Sequence, residues 1–284
     1  MTIPESIKRC FTPRAADSHK GTYGTLLSVC GSYGMARAAI LAARAASRCG
    51  TGLVIAALPE TIYPIAATAL PEVVFAPLAE RPAAALVKEL TKPLQKSTAL
   101  LIGCGLGNTL SSAQLTEALI SAATCPIVLD ADGINIAARH ISILETAHPP
   151  LILTPHPKEL SRLLHTTVDQ IKADRQTAAQ TAAARFDAVV VLKGHHTVIA
   201  APNGTVSVNQ TGNPGMAVAG SGDVLAGMIA GLLAQGLSLF DAARCGVYLH
   251  GAAGDLAAAR LSQHAMLPTD ILDELGTLFS QLEK

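Results

Sequence analysis

The fold of this chain is inferred most directly from Asn209-Gln210-Thr211-Gly212-Asn213-Pro214-Gly215-Met216-Ala217-Val218-Ala219-Gly220-Ser221-Gly222-Asp223, which runs into an apolar segment, Val224 to Leu233. The first part is too rich in glycine, proline and asparagine for regular structure. The apolar segment is hydrophobic on every face, which predicts a buried helix. Gly220-Ser221-Gly222-Asp223 is therefore a loop of small residues that opens a buried helix.

Such a loop is suited to holding an anion. The first N–H groups of a helix have no partner within it, and the helix dipole makes that end electropositive. Glycines let an oxyanion approach those N–H groups closely. Asp223 is the unexpected member, because a carboxylate repels a phosphate. Two interpretations remain open from the loop alone: Asp223 caps the helix, or it is a base or metal-side acid beside a transferring phosphoryl group.

Composition narrows the class of protein. Of 284 residues half are hydrophobic, only 3% are aromatic, and 21 basic residues balance 21 acidic ones. Zero net charge gives no general attraction to nucleic acid or to an anionic membrane. The six cysteines have no metal-ligand spacing, which is typical of reduced, buried thiols. No apolar run is long enough to span a bilayer and residues 1–6 lack the features of a signal peptide, so we expect a cytoplasmic protein.

Hydrophobic patterning predicts strands that alternate with helices. The predicted strands are 25–30, 53–57, 72–75, 99–102, 126–129, 151–153 and 188–192, with a hairpin of 198–200 and 206–208. The predicted helices are 35–49, 82–90, 111–123, 159–164, 168–185, 222–235, 239–260 and 269–282. This order predicts an α/β fold with a mainly parallel central sheet and helices on both faces, in a single domain over residues 1–284.

The loops that carry reactive side chains all follow strands. They are Gly31-Ser32, Gly103 to Gly107, Asp130 to Asp132, His156 and Lys193-Gly194. Ligands of open α/β sheets bind at the carboxyl ends of the strands. The clustering therefore indicates an enzyme.

Each of these loops also has a purely structural interpretation. Gly103-x-Gly105-x-Gly107 lacks the full spacing of a dinucleotide fingerprint, so it can be a tight turn. Asp130 and Asp132 are either turn-formers or residues that order a magnesium ion and its waters. Lys193 suits a phosphate contact but could be a solvated strand end.

The histidines differ in what they suggest. His156 lies between two prolines on a stiff segment, where contact with a ligand is the favoured interpretation over a core role. His195 and His196 by themselves suit the surface of a hairpin. His250 lies among glycines on an apolar helix and is interpreted as a core histidine.

Taken in order, the motifs from His19 to about Leu275 resemble one known family. They are His19-Lys20-Gly21, Gly31-Ser32, Leu129-Asp130-Ala131-Asp132, Leu153-Thr154-Pro155-His156-Pro157, Val191-Leu192-Lys193-Gly194-x-x-Thr197, Gly212-Asn213-Pro214-Gly215-Met216-Ala217, Gly220-Ser221-Gly222-Asp223-Val224-Leu225-Ala226-Gly227 and His250-Gly251-x-x-Gly254-Asp255. The sequence resembles the ADP-dependent (S)-NAD(P)H-hydrate dehydratases, carbohydrate-kinase-like repair enzymes of the ribokinase-like superfamily.

The resemblance implies a function. Members of this family restore NADH or NADPH from the damaged hydrate: ADP phosphorylates the hydrate hydroxyl, and phosphate then leaves. It also implies a ribokinase-like fold, Mg²⁺ as a cofactor and a homotetramer. No ligand set for the magnesium can be identified in the sequence.

The resemblance also implies roles for particular residues. Asp223 is expected to be the catalytic base toward the hydroxyl, and Gly220, Ser221 and Gly222 form an anion hole for the phosphoryl group. Nucleotide binding is expected at Lys193, Gly194, His195, His196, Thr197 and Gly222. Substrate binding is expected at Ala38, Gly105, His156 and Asp223.

Two departures and two alternatives qualify this interpretation. Arg37 precedes Ala38 where the family usually has glycine, and Cys104 replaces the usual proline in Gly103-Cys104-Gly105. One alternative is a ribokinase-like small-molecule kinase for a sugar or a vitamin precursor, which would keep Gly222-Asp223 but release a phosphorylated product. The other is a nucleotide-sensing binding module, which has no need of a base at Asp223.

Overall fold

Nine β-strands form one sheet in the computed structural model, which describes residues 3–283. In chain order they are β1 Thr25–Val29, β2 Leu53–Pro59, β3 Val74–Leu78, β4 Ala99–Ile102, β5 Ile127–Leu129, β6 Leu151–Leu153, β7 Ala188–Leu192, β8 Val198–Ala200 and β9 Val206–Val208. The order across the sheet is β3-β2-β1-β4-β5-β6-β7-β8-β9. Neighbours from β3 to β7 are parallel, and β8 and β9 add an antiparallel hairpin. The predicted fold class is confirmed.

Helices cover both faces of this sheet. They are α1 Glu5–Lys8, α2 Ala36–Arg48, α3 Tyr63–Ala69, α4 Ala83–Lys96, α5 Leu110–Ala122, α6 Asp132–Arg139, α7 Ser142–Glu145, α8 Pro157–Leu163, α9 Val168–Ala173, α10 Arg175–Phe186, α11 Ser221–Ala234, α12 Leu239–Leu261 and α13 Pro268–Leu282. One apolar cluster joins α1–α3 and α11–α13 to the sheet, and a second joins α4–α10 to the opposite face. Among residues 3–283, no helix has both the length and the hydropathy to cross a membrane.

The buried helix α11 packs against α2 at backbone distance. A Cβ added to Gly227 would lie 2.1 Å from the carbonyl oxygen of Ala42, and one added to Gly231 would lie 2.8 Å from the Cα of Ala46. Any larger residue at these positions would separate the helices. The alanine-rich sequence of α2 and the glycines of α11 therefore hold the start of α11 at the edge of the sheet.

Several predicted boundaries are wrong. The helix predicted over 168–185 is two helices, because Asp174 interrupts it and caps α10 by accepting the N–H of Thr177 at 3.0 Å. The helix predicted over 82–90 continues to Lys96, past Pro93, since Leu90 and Leu94 continue its buried stripe. The sequence patterns also gave no sign of α1, α3, α6 and α7.

The third strand is displaced from its predicted position, 72–75. It begins at Val74 and pairs with β2 as far as Leu78. It includes Pro77, which an edge strand tolerates because one side of it needs no hydrogen bonds. Residues 1, 2 and 284, which the single-domain prediction includes, lie outside the described residues.

The strand order reverses between β1 and β4. Strands β2 and β3 extend to one side of β1, and strands β5 to β9 extend to the other side of β4. Loops that leave such a point diverge to opposite faces of the sheet and open a crevice at the carboxyl ends of the strands. The fold therefore places the loops after β1 and β4 at the usual position of a ligand site.

Candidate active site

The loops after β1 and β4 are bonded to each other across the crevice. The N–H of Gly31 donates to the carbonyl oxygen of Cys104 at 2.8 Å, and Ser32 Oγ donates to the carbonyl oxygen of Gly105 at 2.9 Å. Gly105 has φ +60°, and a Cβ there would lie 2.7 Å from the Cβ of the buried Ala38. The two substrate positions predicted for this edge, Ala38 and Gly105, are therefore in contact.

Arg37 lies next to this contact but points elsewhere. Its side chain is exposed, and Nη1 donates to the carbonyl oxygen of Ala219 at 2.8 Å, in the loop that precedes α11. Ala38 stays buried against the crevice. The arginine that departs from the family pattern therefore adds positive charge beside the loop and leaves Ala38 in place.

Within residues 3–283, no side chain caps the N-terminus of α11, whose N-cap residue is Gly220. Ser221 Oγ lies 3.3 Å from Nε2 of His250, whose pKa burial lowers to about 4, so this imidazole is neutral at pH 7. His250 is buried as predicted, and it also positions Ser221. The N–H of Ser221 donates to the carbonyl oxygen of Val218 at 3.2 Å. The N–H groups that follow it in the first turn can receive an anion.

Asp223 lies in the first turn of α11 but does not cap it, so the capping interpretation is wrong. Burial raises its pKa to about 6, and the charge of Asp130 acts in the same direction. The positive charges of Arg37 and Lys193 act against that rise. A carboxyl group with this pKa is ionised at pH 7 and is a stronger base than an exposed aspartate, which suits proton abstraction.

Lys193 forms a buried ion pair with Asp130. The distance from Nζ to Oδ1 is 2.6 Å, and the hydroxyl of Thr154 donates to the same oxygen at 2.7 Å. Burial opposes the charge on Lys193, but the carboxylates of Asp130 and Glu159 outweigh it, so the pKa of Lys193 is raised. Lys193 is therefore not the solvated strand end that the sequence left open.

The Lys193 ammonium also faces the start of α11. A Cβ added to Gly222 would lie 3.6 Å from Nζ. The ammonium of Lys193 and the N-terminus of α11 thus face the same small volume. A phosphoryl group there would meet a cation and backbone donors together.

Neither aspartate after β5 is simply a turn-former. Asp130 is buried in the ion pair. Asp132 begins α6, and its Oδ2 accepts the N–H of Gly107 at 2.8 Å. This bond ties the glycine loop after β4 to α6. Gly103-x-Gly105-x-Gly107 is accordingly a tight turn held in place by Asp132.

The donors available for a metal ion are Cys104, Asp130 and Asp223, whose ligand atoms lie within 4.8 Å of one another. Mg²⁺ selects oxygen ligands and keeps several waters, and a thiol is too soft for it. Oδ2 of Asp130 faces only the Cys104 thiol, at 3.7 Å, and retains a lone pair for a metal-bound water. The residues do not form a closed magnesium cage, but they fit an ion that arrives with nucleotide phosphates.

His156 is the N-cap of α8. Its Nδ1 accepts the N–H groups of Lys158 and Glu159, each at 3.1 Å, and Glu159 Oε2 accepts the N–H of His156 at 2.8 Å. Because Nδ1 accepts, Nε2 carries the proton, and it lies 3.2 Å from Glu159 Oε1. Burial, with a further contribution from Lys193, lowers the pKa of His156. The half-exposed imidazole is thus neutral and has a fixed orientation, with its N–H directed at Glu159.

Glu159 is buried beside this histidine. Burial raises its pKa to about 7, and its Oε2 lies 4.0 Å from the ammonium of Lys193. Glu159 thus connects His156 to the pair of Lys193 and Asp130. Glu159 is not among the residues predicted for the site, although glutamate three positions after an N-cap is a capping-box signature.

Residues 194–197 form the turn between β7 and β8. Thr197 Oγ1 donates to the carbonyl oxygen of Gly194 at 2.9 Å. The rings of His195 and His196 are exposed and stack with their centroids 3.8 Å apart. The guanidinium of Arg175 donates to the carbonyl oxygens of Leu192, at 2.8 Å, and of His195. Arg175, at the start of α10, therefore fixes the backbone of this turn.

The loop before α11 is held by Asp255 on α12. Its Oδ2 accepts the N–H of Gly212 at 2.9 Å, and its Oδ1 accepts from Asn213 Nδ2 at 3.0 Å. Oδ1 of Asn213 in turn accepts the N–H of Gly215 at 3.0 Å. These bonds explain why asparagine and glycine alternate in this part of the loop.

Contacts link six of the predicted site residues at one edge of the sheet. Cys104 joins Gly105 to Asp130 and Asp223, and Lys193 joins Asp130 to Gly222 and Glu159. His156 is bonded to Glu159, and Ala38 contacts Gly105. The exposed rings of His195 and His196 instead contact each other.

The sequence and the structure were compared with known proteins. A family model described as NAD(P)H-hydrate dehydratase matches residues 26–276. The chain is 45% identical, over 87% of its length and 81% of the relative's, to an ADP-dependent (S)-NAD(P)H-hydrate dehydratase of Neisseria meningitidis. It is 46% identical, over 95% of its length, to a bifunctional NAD(P)H-hydrate repair enzyme of Moorella thermoacetica. It spans 52% of that protein, about half the length of several curated relatives it matches.

A solved structure gives the same result. An ADP/ATP-dependent NAD(P)H-hydrate dehydratase of Bacillus subtilis, co-crystallised with ATP/Mg²⁺, superposes with a TM-score of 0.83 and 33% identity. The match covers 98% of this chain and 96% of that one.

Proposed function

Because this chain belongs to the NAD(P)H-hydrate dehydratase family, we propose that it is an ADP-dependent dehydratase that returns (S)-NADH hydrate or (S)-NADPH hydrate to the intact coenzyme. The observation that carries the proposal is the juxtaposition of a basic carboxylate, Asp223, with the uncapped start of α11 and the ammonium of Lys193. This is an arrangement for transferring a phosphoryl group to a hydroxyl.

The proposed reaction has two steps. The hydrate hydroxyl attacks the terminal phosphorus of ADP and loses its proton, which leaves AMP and a phosphorylated hydrate. The C–O bond then breaks, phosphate departs, and loss of a proton from the neighbouring carbon restores the double bond. In sum, hydrate and ADP give coenzyme, AMP and phosphate.

Asp223 is proposed as the base of the first step. Its elevated pKa keeps it basic, and ionisation at pH 7 leaves it able to accept a proton. A carboxylate would ordinarily repel the phosphoryl group. Arg37 and Lys193 offset that repulsion, and both favour the ionised form of Asp223.

The phosphoryl group is proposed to lie on Gly220, Ser221 and Gly222. The N–H of Gly222 lies in the first turn of α11, where preorganised donors stabilise charge as it develops. ADP is proposed to extend from there along Lys193, Gly194, His195, His196 and Thr197. Lys193 faces Gly222 across this position, which supports the assignment.

The hydrated nicotinamide is proposed to lie on Ala38, Gly105 and His156. The first two contact each other in the crevice between β1 and β4. The neutral ring of His156 is half-exposed, and its bonds to α8 and Glu159 fix its orientation. Together with Asp223 these residues would hold the hydroxyl in line with the phosphate.

The proposal also includes Mg²⁺, a homotetramer and a cytoplasmic location. Asp130 has the carboxylate that would hold a nucleotide-bound Mg²⁺, through water. That ion would neutralise charge on the phosphates. The Bacillus subtilis relative was crystallised with ATP/Mg²⁺, which supports this part of the proposal.

The test is to incubate the protein with (S)-NADH hydrate, ADP and Mg²⁺ and to follow the near-ultraviolet absorbance of NADH. We expect one AMP and one phosphate for each NADH formed. A small-molecule kinase would instead accumulate a phosphorylated product with no NADH. A binding module would leave ADP and hydrate unchanged, and either result would overturn the proposal.

A further inference from the structure

A cavity lies beside the proposed active site. It is a cleft of about 560 Å³ between α6 and α8, and it adjoins the loop after β4. Its polar lining includes Asn108, Asn135, Arg139, Ser161, Arg162 and His165. None of these residues belongs to the site described above. We call it the α6–α8 cleft.

The α6–α8 cleft is positively charged. Two arginines line it, with no aspartate or glutamate, in a chain whose net charge is zero. Asn135 Oδ1 accepts from Arg162 Nη1 at 2.5 Å and orients that guanidinium. Within residues 3–283, no side chain pairs with the exposed guanidinium of Arg139 at the end of α6. Paired guanidinium groups are suited to binding a phosphate.

His165 lines the same cleft just beyond the end of α8. Its φ of +52° is that of the left-handed residue that ends a helix, because the N–H of Thr166 donates to the carbonyl oxygen of Ser161 at 2.9 Å. This end of α8 therefore forms a fixed wall of the cleft.

The position of the cleft matches the path of a dinucleotide. Asn108 follows Gly107, which Asp132 ties to the start of α6. Arg162 comes six residues after His156 on α8, about 9 Å along the helix axis. The cleft therefore continues from the proposed nicotinamide position toward the face of the sheet opposite α11. ADP, on the Lys193 side, leaves this path open.

We propose that the α6–α8 cleft binds the adenosine half of NADPH hydrate, with Arg139 and Arg162 on its 2′-phosphate. This inference rests on the proposed function. Only NADPH hydrate carries that phosphate, so the cleft gives the enzyme a preference for NADPH hydrate over NADH hydrate. An arginine is the usual partner of the 2′-phosphate in dinucleotide sites.

The test compares kcat/KM for the two hydrates in the wild type, Arg139→Gln and Arg162→Gln. Each variant is expected to lose about tenfold for NADPH hydrate, as for loss of a hydrogen bond to a charged group. Activity on NADH hydrate and the KM for ADP are expected to stay within twofold of wild type. The matched control is Arg185→Gln, which removes an arginine that pairs with Glu145 on the surface at 3.1 Å.

A second measurement does not depend on catalysis. With ADP saturating its own site, adenosine 2′,5′-bisphosphate is expected to raise the melting temperature of the wild type and of Arg185→Gln. The bisphosphate should raise the melting temperature of Arg139→Gln much less. Arg139 is exposed, so this variant keeps the test available if Arg162→Gln fails to fold.

Three results would overturn the inference. The first is an unchanged preference for NADPH hydrate over NADH hydrate in both variants. The second is an equal loss of kcat/KM on the two hydrates. The third is a melting-temperature shift with the bisphosphate that is as large in Arg139→Gln as in the wild type. If NADH hydrate is still converted while the preference is unchanged, the proposed function stands and only the cleft assignment fails. If neither hydrate is converted, the bisphosphate shift still decides the cleft assignment.

Discussion

At the scale of a single residue, the proposed role of Asp223 as the base predicts that the reaction depends on pH. The base must be ionised, and burial raises its pKa to about 6. We expect kcat/KM for NADH hydrate to rise about tenfold per pH unit below pH 6 and to level off above it. The measurement is a pH–rate profile of the wild type.

Glu159 supplies the control for that profile, because its pKa of about 7 lies nearby. In Glu159→Gln the limb near pH 6 should remain, since this variant keeps Asp223. If the limb near pH 6 disappears in Glu159→Gln, the group that controls the rate is Glu159 and not Asp223.

The same burial makes Asp223 a cost to stability. A carboxyl whose pKa rises from 3.8 to about 6 on folding costs up to about 3 kcal/mol to keep ionised in the folded state. Between pH 3.8 and about pH 6 the carboxyl of Asp223 holds its proton more often in the folded protein than in the unfolded chain. The free energy of unfolding that this group contributes therefore falls as pH rises through that range, and it is constant above about pH 6. Asp223→Asn should therefore be more stable than wild type at pH 8 and equal to it near pH 4. Urea unfolding at both pH values measures this, and an equal difference at both would contradict it.

At the scale of an element, His156 has an observed role and a proposed role that substitutions can separate. Its Nδ1 caps α8, and its half-exposed ring is proposed to contact the hydrate. His156→Ala should lose the cap, about 1 kcal/mol of stability, together with affinity for the hydrate. His156→Asn restores a good cap but not the imidazole. We expect KM for the hydrate to rise in both variants, the melting temperature to fall only in the alanine variant, and KM for ADP to be unchanged. A rise in KM for ADP would place His156 on the nucleotide side.

Elements were predictable from sequence where burial leaves a pattern. Strands such as β4 and β7 are buried along their whole length and read as continuous apolar runs. The break at Asp174 and the short helices α3 and α7 were missed, because a few residues do not establish a helical period. The persistence of α4 past Pro93 is a case where packing of Leu94 overrides local propensity.

Parts of the candidate site were accessible from the sequence. The composition of Gly220 to Asp223 predicts an anion site, and the prolines beside His156 predict contact with a ligand. The pair of Lys193 and Asp130 could not be found, because its members lie 63 positions apart and only the sheet brings them together. The buried state of Glu159 likewise depends on tertiary packing, which sequence spacing does not report.

At the scale of the whole molecule, ADP should stabilise the fold. A ligand that binds only the folded state raises the melting temperature by mass action, so millimolar ADP with Mg²⁺ should give a clear shift. Lys193→Ala should abolish most of it. That variant also leaves Asp130 buried without its partner, which costs about 3–5 kcal/mol.

A double variant separates these two effects. Adding Asp130→Asn to Lys193→Ala removes the unpaired charge and should recover much of the melting temperature, without recovering the ADP shift. Recovery of the shift would show that Lys193 serves the fold and does not contact the nucleotide. The single-domain extent and the homotetramer remain predictions, which sedimentation of the full chain can test.

The most direct test is single-turnover conversion of (S)-NADH hydrate by the wild type and by Asp223→Asn, alongside the ADP affinity of each. Asparagine keeps the shape of the side chain but accepts no proton. We expect NADH formation to slow by about 10²–10⁴-fold, with ADP binding equal to or tighter than wild type, because a negative charge near the phosphates is gone. A variant that folds, binds ADP and regenerates NADH at close to the wild-type rate would show that Asp223 is not the base.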